Sequence, residues 1–271
     1  MSVDLLTRDA TIRVQALPVR SNLPVNADYR LMLLDAPEAL LDACRPGQFF
    51  HLLCPSAGRD GPVLRRPMSI YGTSDGTLRF LYKVAGKGTA TLAGLAPGDR
   101  LSVVGPLGRG FHLDPDWRHI LLLARGVGLA TLAPLARAAR LRGIAVTALC
   151  SARAPEFLMS LDLFRAEGAQ VVPLLDSDGT AAVEHVEPLV ATHLAAGVDA
   201  VFTCGSARLL RLLQRQCAAH GVPGQVALEQ QMACGIGMCQ CCVRPFRRGE
   251  AMLSLRVCRD GPVFDLMEAV A

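Results

Sequence analysis

Lysine is almost missing from this 271-residue chain: Lys83 and Lys87 are the only two, so arginine carries nearly all of the positive charge. The formal net charge is only +4, and no basic run is interleaved with aromatic residues, so the electrostatic footprint of a nucleic-acid binder is lacking. The arginine bias reads as genome composition rather than function. No apolar run reaches the ~18 residues that a membrane helix needs. Residues 119–135 come closest, and Arg125 interrupts them. The opening residues, Met-Ser-Val-Asp-Leu-Leu-Thr-Arg-Asp, lack a basic segment followed by an apolar core, so no secretory signal is expected and a cytoplasmic location is. Internal repeats and low-complexity tracts are missing too. So is any His/Asp/Ser constellation: His51, His112, His119, His185, His193 and His220 are too dispersed to propose as ligands or bases, and surface or satisfied core positions are expected for all six.

What is present is cysteine, ten in all, with an uneven distribution. Cys234-Gly-Ile-Gly-Met-Cys239-Gln-Cys241-Cys242 has the C-x4-C-x2-C spacing, and Cys258 follows at a distance. That pattern suits a [2Fe–2S] cluster, in which four thiolates converge on two irons and small residues such as Gly235 and Gly237 let the backbone wrap closely. Zinc is the competing reading. Zinc ribbons usually present two C-x2-C-like knuckles, however, and only Cys239/Cys242 forms one here. The remaining cysteines, Cys44, Cys54, Cys150, Cys204, Cys217 and Cys241, are scattered singly, as small buried hydrophobes in a reducing compartment would be. Cys241, adjacent to Cys242, is expected to point away from the metal.

The chain is long enough for two domains and an appendage. Over residues 1–113, short strands are predicted at 11–15, 30–34, 48–54, 68–71, 78–84 and 100–104, punctuated by Gly and Pro, with Asp75-Gly76 as a hairpin signal. Six strands at this spacing predict a small antiparallel β-barrel. Beyond Asp114-Pro115-Asp116 the period changes, and over 117–228 apolar strand patterns alternate with helical ones. Strands are expected at 119–124, 145–150, 170–175, 200–204 and 225–228, and helices at 129–142, 160–166, 183–196 and 207–220. Such alternation predicts a parallel sheet with helices on both faces. Residues 229–271 form the cysteine module.

Two motifs in the first domain suit a phosphorylated cofactor. Arg66-Pro67-Met68-Ser69 places a guanidinium beside a rigid proline with a hydroxyl on the strand, able to hold a pyrophosphate and to hydrogen-bond a ring nitrogen. Gly88-Thr89, ahead of a helical run at 90–95, offers backbone N–H groups to the same diphosphate. Alone, each is equally an edge strand or a capped helix.

Together with Leu81-Tyr82-Lys83, Gly105-Pro106-Leu107-Gly108 and Asp260-Gly261-Pro262-Val263-Phe264, these motifs and the cysteine module resemble the ferredoxin–NADP reductase superfamily. Within it, the chain is similar to the electron-transfer subunits of class 1B dihydroorotate dehydrogenase over nearly its whole length. The resemblance implies an oxidoreductase subunit of pyrimidine biosynthesis, with three parts: an FAD-binding barrel (1–113), an NAD(P)-type α/β domain (117–228) and a [2Fe–2S] module (229–271). It implies that Arg66, Pro67, Met68 and Ser69 line FAD, with Ser69 near the reactive N5 and Arg66 on the phosphates. Leu81, Tyr82 and Lys83 would cover the ribityl and phosphate region, with Gly88 and Thr89 closing the diphosphate site. Gly126, Gly128, Cys204 and Gly205 would face the nicotinamide dinucleotide, and Cys234, Cys239, Cys242 and Cys258 would hold the cluster. Electrons would then pass from NADH through FAD and the cluster to an FMN-containing catalytic subunit in a heterotetramer, with no nucleic acid or membrane involved.

The nicotinamide half departs from the family pattern at three positions. Arg125 stands where relatives carry a glycine, Thr131 where they carry a proline, and Ser206 replaces the proline of Cys-Gly-Pro. A long side chain at position 125 would either obstruct the dinucleotide or bind its phosphates. Two alternatives stay open: a related FAD/[2Fe–2S] subunit of the sulfhydrogenase or ferredoxin–NAD(P) oxidoreductase kind, with another electron donor or acceptor, and a zinc-binding module without redox chemistry.

Overall fold

The computed structural model describes residues 12–56 and 61–270; Thr11, in the first expected strand, lies outside them. The first part holds β1 (Arg13–Pro24), β2 (Tyr29–Asp35), α1 (Glu38–Ala43), β3 (Phe49–Leu52), β4 (Arg66–Ser69), β5 (Gly72–Ser74), β6 (Thr77–Lys83), α2 (Lys87–Ala93) and β7 (Arg100–Leu107). They form a seven-stranded antiparallel sheet in the order β4-β3-β7-β1-β2-β6-β5. Only Ile70 and Tyr71 separate β4 at one edge from β5 at the other, so the sheet has to curl until its edges nearly meet. The inner face follows from alternation: Leu78, Phe80 and Tyr82 on β6 and Met32 and Leu34 on β2 point inward with Phe50 and Leu52 of β3. Asp75 and Gly76 both adopt positive φ, +54° and +69°, as a two-residue hairpin turn between β5 and β6 requires. β5 is one strand more than the sequence predicts.

The second part alternates strand and helix as expected: β8 (His119–Arg125), α3 (Gly128–Arg140), β9 (Ala145–Ala152), a short 3-10 turn at Pro155–Phe157, α4 (Leu161–Ala166), β10 (Gln170–Leu175), α5 (Val183–Ala195), β11 (Ala200–Cys204), α6 (Ala207–His220) and β12 (Gly224–Ala227). Residues 120–124 of β8 are buried without interruption, because helices cover both faces of a parallel sheet. The strand order is β10-β9-β8-β11-β12-β15, where β15 (Val263–Asp265) returns from the C-terminal segment and pairs antiparallel with β12. The sheet is therefore mixed rather than purely parallel.

Between β12 and β15 the chain makes an excursion through the cysteine loop, the hairpin of β13 (Val243–Arg248) and β14 (Ala251–Arg256), and one turn of helix, α7 (Val257–Asp260). Phe246 is fully buried and lies tilted against Phe264, with ring centroids 4.2 Å apart. Burying a phenylalanine contributes about 1.5–3 kcal/mol, so this pair secures the hairpin to the sheet. Among the described residues no helix is long and apolar enough to cross a membrane.

Candidate functional site

A cleft of about 750 Å³ opens where β4 and β6 face α3 and the segment at 228–232. Arg66, Pro67, Met68, Ser69, Leu81, Tyr82 and Lys83 all line it. Their side chains do different things. Tyr82 is turned into the sheet core, where its hydroxyl donates to Asn22 Oδ1 at 2.9 Å, so its main chain is what it offers the cleft. Lys83 pairs with Asp28 at 3.2 Å. The Arg66 guanidinium lies against Gly88: a Cβ there would come within 2.8 Å of Arg66 Nε and push the guanidinium aside. Thr89 is occupied otherwise, its Oγ1 accepting from the N–H groups of Ala85 and Gly86 at 2.9 and 3.1 Å to cap α2.

Val127, Ala130 and Thr131 form the opposite wall, and a smaller hollow of about 180 Å³ at the end of β11, lined by Cys204 and Gly205, shares Leu228 and Glu229 with the cleft. The C-terminal strand ends are the side of a parallel sheet where dinucleotides bind. Gly126 and Gly205 have positive φ, +56° and +91°. A Cβ on Gly205 would lie 2.5 Å from the Arg125 carbonyl oxygen, and one on Gly128 would run into that of Cys204. The two turns interlock backbone to backbone, which fixes glycine at both positions. Arg125 neither fills this space nor stays free: its guanidinium pairs with Asp176 and donates to Ser151 Oγ at 3.0 Å, over the ends of β9 and β10 on the far side of β8 from β11. Hydrogen bonding to that guanidinium, against a smaller burial penalty, holds the Asp176 carboxyl below its usual range. Ser206 caps α6, accepting from Leu209 N at 3.3 Å, so a cap replaces the rigid proline turn.

Thr131 is buried in α3 and donates to Ser69 Oγ at 3.1 Å, joining the two halves of the molecule across the cleft. Cys204 lies behind it, fully buried, and burial pushes its thiol up to about 12, with the Glu229 charge adding to the shift. Glu229 opens onto the cleft yet is surrounded deeply enough that desolvation raises its carboxyl. Sequence reasoning missed Glu229 and the part Thr131 plays, because neither belongs to a local motif; only the fold brings them to the cleft.

The cleft wall ends at Met232, just ahead of the cysteine loop. The four spaced cysteines sit as two neighbouring pairs. Cys239 N donates to Cys234 Sγ at 3.4 Å, and Cys258 N to Cys242 Sγ at 3.4 Å. Burial alone would raise the Cys234 thiol, but backbone N–H groups of Cys239, Ile236 and Met238 outweigh it and bring it down to about 6. A sulfur inside such a nest is prepared to be a thiolate. Cys258 is pushed the other way, to about 12, first by burial and then by its neighbour Cys242. Gly235 and Gly237 have φ of +73° and +85°, and a Cβ on Gly237 would lie 2.9 Å from Arg259 Cβ. Arg256 grips Asp260 through two N–H groups, at 3.0 and 3.1 Å, and donates to the Gly237 carbonyl at 3.2 Å, bracing the loop against α7. Cys241 is exposed and turns its thiol toward the Gln231 carbonyl, 3.9 Å away. Among the described residues, no three His, Cys, Asp or Glu side chains close on a point that suits a single metal ion. A binuclear cluster, by contrast, spreads its thiolates over two irons.

The histidines bring one correction. His51 is neither exposed nor satisfied: it is 1% exposed and, among the described residues, neither ring nitrogen has a hydrogen-bond partner. It lies on β3 against Gly235 of the cysteine loop.

A family model for the iron–sulfur cluster binding domain of dihydroorotate dehydrogenase B matches residues 229–269. The dihydroorotate dehydrogenase B (NAD(+)) electron transfer subunit of Desulforamulus reducens is 34% identical over 242 residues, covering 88% of this chain and 91% of that protein. The chain belongs to this family of electron transfer subunits. The family's Streptococcus pneumoniae member is 34% identical over 83% of this chain and 87% of its own length. Among solved structures, that of an NADH-dependent reduced ferredoxin-NADP oxidoreductase superposes with a TM-score of 0.77 at 27% identity, covering 94% of this chain and 89% of that one. The ferredoxin reductase of carbazole 1,9a-dioxygenase shares the fold, with a TM-score of 0.58 at 20% identity over 78% of this chain and 67% of its own.

Proposed function

We propose that this family member passes electrons from NADH through FAD and a [2Fe–2S] cluster to the FMN-containing catalytic subunit of dihydroorotate dehydrogenase, in pyrimidine biosynthesis. The carrying observation is continuity: one cleft runs from Arg66 and Ser69 past Thr131 to Met232, where the loop bearing Cys234 begins. In this reading the curled sheet of residues 1–113 is an FAD-binding barrel, 117–228 is the NAD(P)-type domain and 229–271 carries the cluster. FAD takes an electron pair as hydride and a [2Fe–2S] centre accepts one electron at a time, so the flavin has to precede the cluster.

The residues present fit both groups. Arg66, seated on Gly88, supplies a planar guanidinium for the pyrophosphate. Ser69, held by Thr131, would offer its hydroxyl to the flavin ring. Leu81 and the main chain of Tyr82 form the wall between them. The interlocked Gly126–Gly128 and Cys204-Gly205 turns would carry the nicotinamide half, with Arg125 tied to Asp176 on the far side of β8 from β11. Cys234 and Cys239 form one pair of cluster thiolates, Cys242 and Cys258 the other.

Anaerobic mixing with NADH tests this: the flavin band bleaches rapidly, and the Arg125→Gly variant keeps KM for NADH within about threefold, since an exposed ion pair contributes little. A colourless preparation with zinc and no flavin, iron or labile sulfide would sink the reading. Likeness to the ferredoxin-NADP oxidoreductase structure over 94% of the chain favours one alternative, a subunit of that kind with a different partner. Co-purification distinguishes them, an FMN-containing dehydrogenase supporting the first reading.

A further inference from the structure

Strand alternation gives β3 two faces. Phe50 and Leu52 enter the core of the curled sheet, whereas Phe49 belongs to the core shared with Cys242, Cys258 and Phe264. His51, two residues on, shares the face of Phe49, and their rings meet edge to face with centroids 5.8 Å apart. Phe49 is itself a wall of the cleft. On its other side, the imidazole turns its polar edge to the cysteine loop. A Cβ on Gly235 would lie 2.8 Å from both Cε1 and Nδ1 and 3.0 Å from Nε2. The position therefore has to be glycine for steric reasons as well as for its φ of +73°. Cleft, Phe49, His51 and the residue next to Cys234 thus form one unbroken line of contact.

A buried imidazole with both nitrogens unpartnered is costly, and a native protein rarely carries one without a reason. Burial and then the charge of Arg65 hold His51 down to about 4, so near neutral pH the ring is uncharged and has one N–H to give. Among the described residues neither nitrogen meets a hydrogen-bond partner. Gly235, against which the ring packs, directly follows Cys234 in the chain.

We propose that His51 is a positioning residue of the electron relay, donating its ring N–H to a sulfur of the [2Fe–2S] site at Cys234. This rests on the cluster reading above. Reduction adds negative charge to the sulfurs, and a donor aimed at one of them favours the reduced form, raising the reduction potential. The uncharged ring does this without burying a second positive charge beside Arg65.

The experiment uses the purified full-length chain with its cofactors, labelled with 15N-histidine and reduced with dithionite. Pulsed EPR of the reduced cluster is expected to show a weakly coupled imidazole nitrogen that disappears in His51→Leu, while the midpoint potential of the cluster, but not of the flavin, moves to more negative values. His51→Asn, which retains an N–H donor, restores part of that shift. Absence of imidazole coupling in the wild-type protein overturns the proposal without requiring any variant to fold. So does an unchanged cluster potential in His51→Leu. Both results would leave the cluster reading standing, whereas a preparation with no iron, labile sulfide or reduced-cluster EPR signal would take both down.

Discussion

Thr131 shows how a residue that departs from its family's pattern can acquire work of its own. A proline there has no donor, whereas the threonine hydroxyl reaches Ser69 at 3.1 Å from the other half of the molecule. Thr131→Val should keep the helix and lose the hydrogen bond, typically about 1 kcal/mol. The expected result is roughly fivefold slower flavin reduction at saturating NADH, read by stopped-flow bleaching, with KM unchanged. Glu229 gives a pH signature. Desolvation raises its carboxyl above the ordinary 4.5, so the folded chain holds this proton more tightly than the unfolded one. The resulting stability is fully present below pH 4.5 and is lost as pH rises through the folded value. Urea titrations across that window should show a falling slope in the wild type that Glu229→Gln lacks. Little of this was legible beforehand. The cysteine spacing is local and could be read, but His51 gives no sign in sequence of facing a loop more than 180 positions away, and its two empty nitrogens exist only once β3 is paired.

Elements with a strong period were the legible ones. The sequence expectation for β10, β11 and α6 matches their observed bounds: β11 is a run of five buried residues, α6 an amphipathic helix, and β10 a short apolar run at the sheet edge. β5 escaped because Gly72–Ser74 is too short to alternate. The return of β15 to the sheet escaped for a different reason: three residues cannot announce which distant edge they will join. Two substitutions probe the turns at the C-terminal ends of β8 and β11. Ser206→Ala removes the α6 cap and should cost about 1 kcal/mol in urea denaturation, leaving NADH oxidation intact. Gly128→Ala drives a Cβ into the Cys204 carbonyl, where backbone cannot give way as a side chain would. NADH should then fail to bleach the flavin while dithionite still reduces both centres.

The molecule as a whole is arranged so that one end of its cofactor line faces outward. Met238 and Ile236, inside the cysteine loop, are 78% and 43% exposed, and Met252 on the adjoining hairpin is 57% exposed. Ile236 and Met238 lie between Cys234 and Cys239 in the chain, so a partner that receives electrons from this loop is expected to touch them. Met238→Asp should weaken association with the catalytic subunit, measured by sedimentation, without changing the flavin or cluster spectra. A final consequence concerns the sheet edge. An edge strand such as β12 would present unpaired N–H and C=O groups to any passing chain, and Val263–Asp265 covers it with three register pairs. The segment that brings the last cysteine home thus also acts as a guard rail against self-association: a chain cut after Arg256 would lose Cys258 and bare the β12 edge in one stroke, and would be expected to oligomerise through it.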